Sequence, residues 1–74
     1  MLTEFLKSHI NDVIWLVVAD TMVKGKLVSI HLGIDNEIKF VELSDVLVQG
    51  CSAPSLVVPG QSILMWGPRA KEDL

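Results

Sequence analysis

The sequence has few of the residues that staple a small protein together. It contains one cysteine, Cys51, among 74 residues, so no internal disulfide can form. His9, His31 and Cys51 are its only soft metal ligands, and no two of them have the spacing of a zinc site. A chain this short forms one domain with a small core, which usually needs a staple, a metal or a partner. Because no disulfide, metal or cofactor is expected, we expect a partner chain to supply the additional stability.

Long apolar segments are also missing. The longest unbroken apolar run is Val13–Ala19, seven residues, whereas a helix that spans a bilayer needs roughly 20. The first residues do not show the small-residue cleavage site of a signal peptide. A lone thiol without an export signal is typical of a reducing compartment. We therefore expect a cytoplasmic protein that does not enter the membrane.

Charge and catalytic motifs are equally sparse. The net charge of −3 argues against a general polyanion binder, although a local basic patch stays possible. The chain has no Ser/His/Asp order, no phosphate-binding glycine loop and no carboxylate pair at helical spacing, so no enzymatic activity is expected. What the chain has is hydrophobic residues, 50% of the total. A domain of this size cannot bury them all alone, which predicts an oligomer interface.

The first half of the sequence predicts a helix and two strands. Apolar side chains recur at spacings of three and four over residues 2–10, which predicts a helix. Val13–Ala19 is rich in β-branched residues and apolar on both faces, so we expect core on one side and the helix or a neighbouring subunit on the other. Residues 22–32 form a long second strand whose apolar parity changes, and Gly25 permits the bend that this change requires.

The second half predicts three more strands. After a turn at 33–36, a third strand at 37–43 would end in a two-residue hairpin at Ser44-Asp45, followed by a fourth strand at 46–50. Residues 51–54 would break the chain before a short fifth strand at 55–58. The prediction is a mainly β fold: a short N-terminal α-helix followed by a strongly bent, five-stranded antiparallel small barrel of the SH3-like type.

This interpretation places the domain at residues 1–59, with the helix at 2–10 and the barrel at 13–59. Residues 60–74 become a C-terminal extension, apolar at 63–66 and then a frayed charged tail. The apolar part is expected to pack back on the barrel or on the next subunit. A sharper alternative makes Trp66 an anchor for a foreign partner.

Val23–Ile30 has the pattern hydrophobic-x-Gly-x-hydrophobic-x-x-hydrophobic and is followed by His31. Phe5-Leu6 lie in the predicted helix, and Ser55–Pro59 has the pattern Ser-x-Val-Val-Pro. In these motifs the sequence resembles the Sm-like (LSm) family, and most closely its bacterial Hfq-type branch, which has Phe-Leu in its helix and a closing Ser-x-Val-Val-Pro. The family usually has an Asp where this chain has His31. The resemblance covers residues 2–59. A rival register takes residues 63–67 as the family's Ile-Arg-Gly segment, but it leaves only seven residues for the last strand.

The resemblance implies a homo-oligomeric ring of five to seven subunits, joined through the fourth and fifth strands, that binds single-stranded RNA around its pore. RNA contacts would come from the turn after strand two and the turn before strand five. For the RNA site these are His31, Gly33, Asn36, Gln49, Gly50, Cys51 and Ser52. For the subunit interface the residues are Val46, Val48, Leu56, Val57, Val58 and Trp66.

The predicted RNA turns lack an aromatic platform and a permanent cation. Gly50-Cys51-Ser52 stand where the bacterial branch has Tyr-Lys-His, and only His31 can stack on a base. Two hypotheses therefore stay open: a ring that binds single-stranded RNA as a chaperone or regulator, and a scaffold ring that has lost RNA binding.

Several single residues also have two interpretations each. His31 is a base platform or a plain outward residue, Cys51 a reactive or an inert thiol, and Trp15 core or interface. Lys24, Lys26, Lys39 and Arg69 form a basic ring or a solvated face.

Overall fold

The computed structural model describes residues 2–68, which form one α-helix and five antiparallel strands in a single bent sheet. The elements are α1 (Leu2–Ser8), β1 (Val13–Val18), β2 (Thr21–Leu32), β3 (Ile38–Val48), β4 (Cys51–Pro59), a 3-10 turn (Gly60–Ser62) and β5 (Ile63–Pro68). The strand order in the sheet is β4-β3-β2-β1-β5. The predicted fold class is confirmed. The charged tail and Arg69 lie outside the described residues.

The core follows from the alternation of apolar side chains along the strands. Ile14 and Leu16 of β1 point inward, while Val13 and Trp15, which alternate with them along the strand, point to the outer face of the sheet. Leu6 brings α1 into the same cluster and is fully buried. The complete cluster comprises Leu6, Ile14, Leu16, Val23, Leu27, Val41, Leu43, Val46, Val58 and Ile63.

The link between α1 and β1 is held on the middle of β2. Asn11 takes a left-handed conformation (φ 72°), and its N–H donates to the Leu27 carbonyl over 2.7 Å. The Leu27 N–H in turn donates to the Asp12 carbonyl over 2.9 Å. These two bonds extend the hydrogen-bonded pairing with β2 past the start of β1. They fix the point at which the chain passes from α1 into the sheet.

The strand pairing is irregular at Gly25, as predicted, but the extra residue lies on β3, and β2 changes the parity of its buried side chains only at the shift between Leu27 and Ser29. Lys24 pairs with Leu47 but Lys26 pairs with Ser44, so β3 carries an extra residue opposite Gly25. A Cβ at Gly25 would lie 3.2 Å from the Ser44 carbonyl oxygen and 3.3 Å from the nearest atoms of Leu43 and Val46. The absence of a side chain therefore lets the two strands approach at the bulge.

Gly25→Val is expected to lower the free energy of unfolding by about 1–3 kcal/mol, because the added atoms crowd β3 at the bulge. The urea midpoint at fixed protein concentration measures the effect. Lys26→Val adds a β-branched side chain to the next, exposed position of β2 and serves as the control. Equal midpoints for the two variants would show that the close approach of the strands at Gly25 does not contribute to the stability of the protein.

The predicted hairpin at Ser44-Asp45 is wrong. Asp45 takes a left-handed conformation (φ 52°) and forms the bulge instead, and β3 continues because Val46 returns to the core and pairs with Ala53. The predicted third and fourth strands are thus one strand. The true hairpin lies at Gln49-Gly50, where both residues have positive φ (51° and 81°), as a tight two-residue β-turn requires.

The predicted break at residues 51–54 and the domain boundary at residue 59 are also wrong. β4 runs through Pro54 without a break, which an edge strand tolerates. Ile63–Pro68 is not an extension but the fifth strand of the sheet, paired with β1 from Ile14↔Pro68 to Val18↔Ile63. Trp66 packs against the core cluster, as the prediction that this segment returns to the barrel requires.

Candidate nucleic-acid interface

One end of the barrel carries an open cleft of about 780 Å³. Pairing of Phe40 with Pro59 brings the end of β4 beside the start of β3, so the 3-10 turn Gly60–Ser62 lies next to the β2–β3 turn. The first residues of α1 and Trp66 of β5 complete the walls. The lining residues are Leu2, Thr3, Glu37, Ile38, Lys39, Gly60, Gln61 and Trp66.

Gly60 allows the 3-10 turn to lie directly on β3. It is buried, and a Cβ built at this position would overlap the backbone carbonyl of Ile38. Its φ lies outside the left-handed region, so the requirement for glycine is steric. This contact places Gln61 in the same cleft as Glu37 and Lys39.

The cleft combines an apolar floor with polar groups at its mouth. Leu2, Ile38 and the half-buried Trp66 supply the apolar surface. Lys39 and Gln61 are exposed. An ammonium group can contact a phosphate, and an amide can donate to and accept from a base edge. Apolar surface with one cation and hydrogen-bonding side chains can hold an unpaired base.

The β2–β3 turn borders this cleft through Glu37. The Gly33 N–H donates to the Glu37 carbonyl over 2.8 Å, and the Asn36 N–H donates to the Gly33 carbonyl over 3.1 Å. Asn36 has φ 64°, and Ile34 at the tip is fully exposed. Gly33 and Asn36, both predicted RNA contacts, therefore shape the turn beside the cleft without lining it.

His31 lies on the outer face of the sheet. Its ring stacks on Phe40 with centroids 4.1 Å apart, and its Nε2 lies 3.3 Å from Glu42 Oε1 and 3.2 Å from Ser29 Oγ. The Ser29 hydroxyl donates to the same Glu42 oxygen over 3.0 Å. The His31 side chain is 45% exposed, so one ring face is used within the protein. This matches the plainer interpretation of His31 as an outward residue.

The remaining predicted RNA residues lie at the opposite end of the barrel. Gln49 and Gly50 form the β3–β4 hairpin, and Cys51 and Ser52 begin β4. The eleven residues of β3 separate them from the β2–β3 turn, so the structure does not bring the two predicted groups together. Their assignment to the turn before the last strand is wrong, because the last strand is β5. That turn is Gly60–Ser62. Cys51 is an exposed free thiol.

Sequence reasoning missed most residues of the cleft. Thr3, Glu37 and Gln61 were not singled out, and Lys39 appeared only as one member of a possible basic ring. The available signal was the apolar run Ile63–Trp66. Reading it as the last strand would have made Gly60-Gln61-Ser62 the turn that precedes this strand.

The predicted subunit interface is partly corrected. Val46 and Val58 are 1% and 3% exposed and belong to the core, so their side chains are not available to a neighbour. Val48, Leu56 and Trp66 are half-buried against the same core. Val57 on β4 is 55% exposed. On the other edge strand, β5, Leu64 and Met65 are 61% and 58% exposed; neither was named as an interface residue, but both belong to the segment 63–66 that was expected to pack on the barrel or on the next subunit.

The described part of the chain contains neither a metal cluster nor a membrane-spanning helix. Among residues 2–68, no group of three His, Cys, Asp or Glu side chains could hold a metal ion. No helix within the same residues has the length and apolar character needed to cross a membrane.

The small bent barrel behind a short helix is the Sm fold. An SmAP (LSm) protein from Methanococcus vannielii is similar with a TM-score of 0.67 and 25% identity, over 85% of this chain and 88% of that one. The Pyrococcus abyssii Sm protein in complex with a uridine heptamer matches with a TM-score of 0.69 and 15% identity, over 89% and 94%. The P. aerophilum SmAP1 heptamer matches with a TM-score of 0.72 and 20% identity, over 93% of each chain.

These likenesses show the fold and support the Sm-like resemblance of the sequence. They do not single out the Hfq-type branch, which stays a prediction. No protein-family model matches the sequence, and no curated protein matches it.

Proposed function

We propose that this chain is a non-catalytic, ring-forming Sm-like protein that binds single-stranded RNA in the cleft at the helix end of its barrel. The observation that carries the proposal is the cleft itself, which is lined by Lys39 and Gln61 together with the apolar Ile38 and Trp66. The structural similarity to an Sm protein solved with a uridine heptamer supports RNA binding as the function. The acidic net charge favours few phosphate contacts for each subunit and therefore weak, base-dominated binding.

The ring follows from the two edges of the sheet. β4 and β5 each pair with one neighbour in the described structure, and each presents exposed apolar side chains. Unpaired edges of this kind invite pairing with another chain, and the pairing of β4 with β5 of the next copy repeats until a ring closes. The similarity to a heptameric SmAP supports a closed ring within the predicted range of five to seven subunits.

Lys39→Ala is expected to weaken oligo-U binding about three- to tenfold and to lower the salt slope by about 0.7 for each phosphate that Lys39 neutralises. Fluorescence anisotropy with labelled oligo-U and oligo-A, at low and moderate salt, measures both quantities. Lys7→Ala removes the same charge from the exposed side of α1 and is the matched control. If Lys7→Ala lowers the affinity as much as Lys39→Ala, binding is non-specific and the cleft is not the site.

A separate variant tests the predicted contact of His31 with a base on the outer face of the sheet. If His31 stacks on a base, the double change His31→Ala and Asn36→Ala lowers binding by roughly 1–3 kcal/mol, while the sedimentation of the protein is unchanged. If this double variant binds as the parent does and Lys39→Ala does not, RNA lies in the cleft alone. No binding by the parent at low salt would favour the alternative function, a scaffold ring without RNA.

A further inference from the structure

One side chain of the cleft does not suit a phosphate. Glu37 is exposed and lines the cleft, and its carboxylate repels the negative charges of an RNA backbone. Within residues 2–68 this carboxylate takes part in no hydrogen bond or ion pair, so both of its oxygens are available to a ligand. An ionised carboxylate only accepts hydrogen bonds. Glu37 can therefore favour binding only through groups of the RNA that donate them.

Lys39 places a donor beside this carboxylate. Both residues line the cleft, and both lie against Gly33. A Cβ at Gly33 would overlap the Glu37 carboxylate and would lie 3.3 Å from Lys39 Cε. No ion pair joins the two side chains in the described part of the chain. Because an ammonium group only donates, the cleft offers two acceptor oxygens with a donor next to them.

Building on the proposed RNA site, we infer that the cleft selects guanine over uracil and that Glu37 determines this choice. The Watson–Crick edge of guanine presents the 2-amino group, N1–H and O6 in that order, which is two donors followed by an acceptor. The two oxygens of Glu37 can accept from both donors while Lys39 donates to O6. Uracil presents its single donor, N3–H, between two carbonyl oxygens, so a carboxylate oxygen would face an acceptor. Adenine and cytosine each offer one amino donor beside a ring nitrogen that accepts.

The apolar surface of the cleft also fits a purine. Ile38 and the half-buried Trp66 supply this surface. The free energy gained by apolar contact grows with the area that is buried, so a two-ring base gains more than a one-ring base. This contact favours guanine and adenine alike, and the hydrogen bonds to Glu37 then separate guanine from adenine.

The test uses the full chain and fluorescein-labelled uridine hexamers in which the third nucleotide is uridine, guanosine or inosine. Anisotropy at low salt should show the guanosine hexamer binding about three- to tenfold more tightly than the all-uridine hexamer. Inosine keeps N1–H and O6 but lacks the 2-amino group, so the inosine hexamer should bind with an affinity between the other two. Equal affinities for guanosine and uridine, or for guanosine and inosine, would overturn the inference.

Glu37→Gln separates the choice of base from the effect of charge. A glutamine amide can accept from uracil N3–H and donate to uracil O4, whereas it can accept from guanine but has no second acceptor. The ratio of guanosine to uridine affinity should therefore fall to about one. Asp35→Asn is the matched control, because it removes the same charge from the same turn at a residue that does not line the cleft. It should raise both affinities alike and leave their ratio unchanged.

A guanosine preference that persists in Glu37→Gln, or that is lost equally in Asp35→Asn, would overturn the inference. The measurements on Lys39→Ala and Lys7→Ala show separately whether RNA binds in the cleft. If RNA binds there without a preference for guanosine, the choice of base fails and the proposed function stands. If the parent binds no RNA at low salt, the proposed function fails and this inference fails with it.

Discussion

Gly60→Ala is expected to lower the free energy of unfolding by about 3 kcal/mol, a large fraction of the stability of a domain of this size. A methyl group at this position overlaps the Ile38 carbonyl, and a backbone carbonyl in a paired strand cannot turn aside. Relief requires the 3-10 turn to move away from β3, which would also open the cleft. Urea denaturation at fixed protein concentration measures the effect, because assembly adds to the apparent stability.

Gly33→Ala is the matched control for this substitution. A Cβ at Gly33 also overlaps a neighbour, but that neighbour is the carboxylate of Glu37, the far end of a flexible side chain on the surface. The side chain can rotate away, so we expect a change of less than about 1 kcal/mol. If Gly60→Ala and Gly33→Ala had the same midpoint, the close contact between the 3-10 turn and Ile38 would not hold in solution.

Val57→Asp is expected to convert the proposed ring into monomers at micromolar concentration. Val57 is 55% exposed on the edge strand β4, and in the ring it would be covered by β5 of the next subunit. Burying an unpaired carboxylate at each of the repeated interfaces costs several kcal/mol per contact, so the closed ring is lost as a whole. Sedimentation equilibrium of the parent and the variant gives the mass directly.

Val28→Asp makes the same chemical change at a site that is 45% exposed on β2, away from both sheet edges, and should leave the ring intact. A parent protein that sediments as a folded monomer would refute the ring. An intact ring in Val57→Asp would place the subunit contact elsewhere than on β4. These outcomes are independent of RNA binding, since neither valine lines the cleft.

Local pattern was enough to predict the helix and the first two strands. The spacing of Leu2, Phe5 and Leu6 determines one apolar helix face, and the β-branched run after Asp12 determines β1. The change of apolar parity in β2 also predicted an irregular strand, but the parity changes at the shift between Leu27 and Ser29, whereas the extra residue opposite Gly25 belongs to β3. The resemblance to the Sm-like family added the fold, and the described structure agrees with it.

Tertiary structure decided the second half of the chain. Ser44-Asp45 and Pro54 are ordinary turn and breaker signals, yet Asp45 serves as a bulge because Val46 must reach the core, and Pro54 is tolerated at a sheet edge. The sequence determined that Ile63–Trp66 must be covered, since it is too apolar for water. Only pairing with β1 decided that this segment closes the sheet, because hydrogen bonds between distant strands leave no local pattern. With β5 in this place, Gln61 and Lys39 line the same cleft. Gln49 lies in the β3–β4 hairpin at the other end of the barrel.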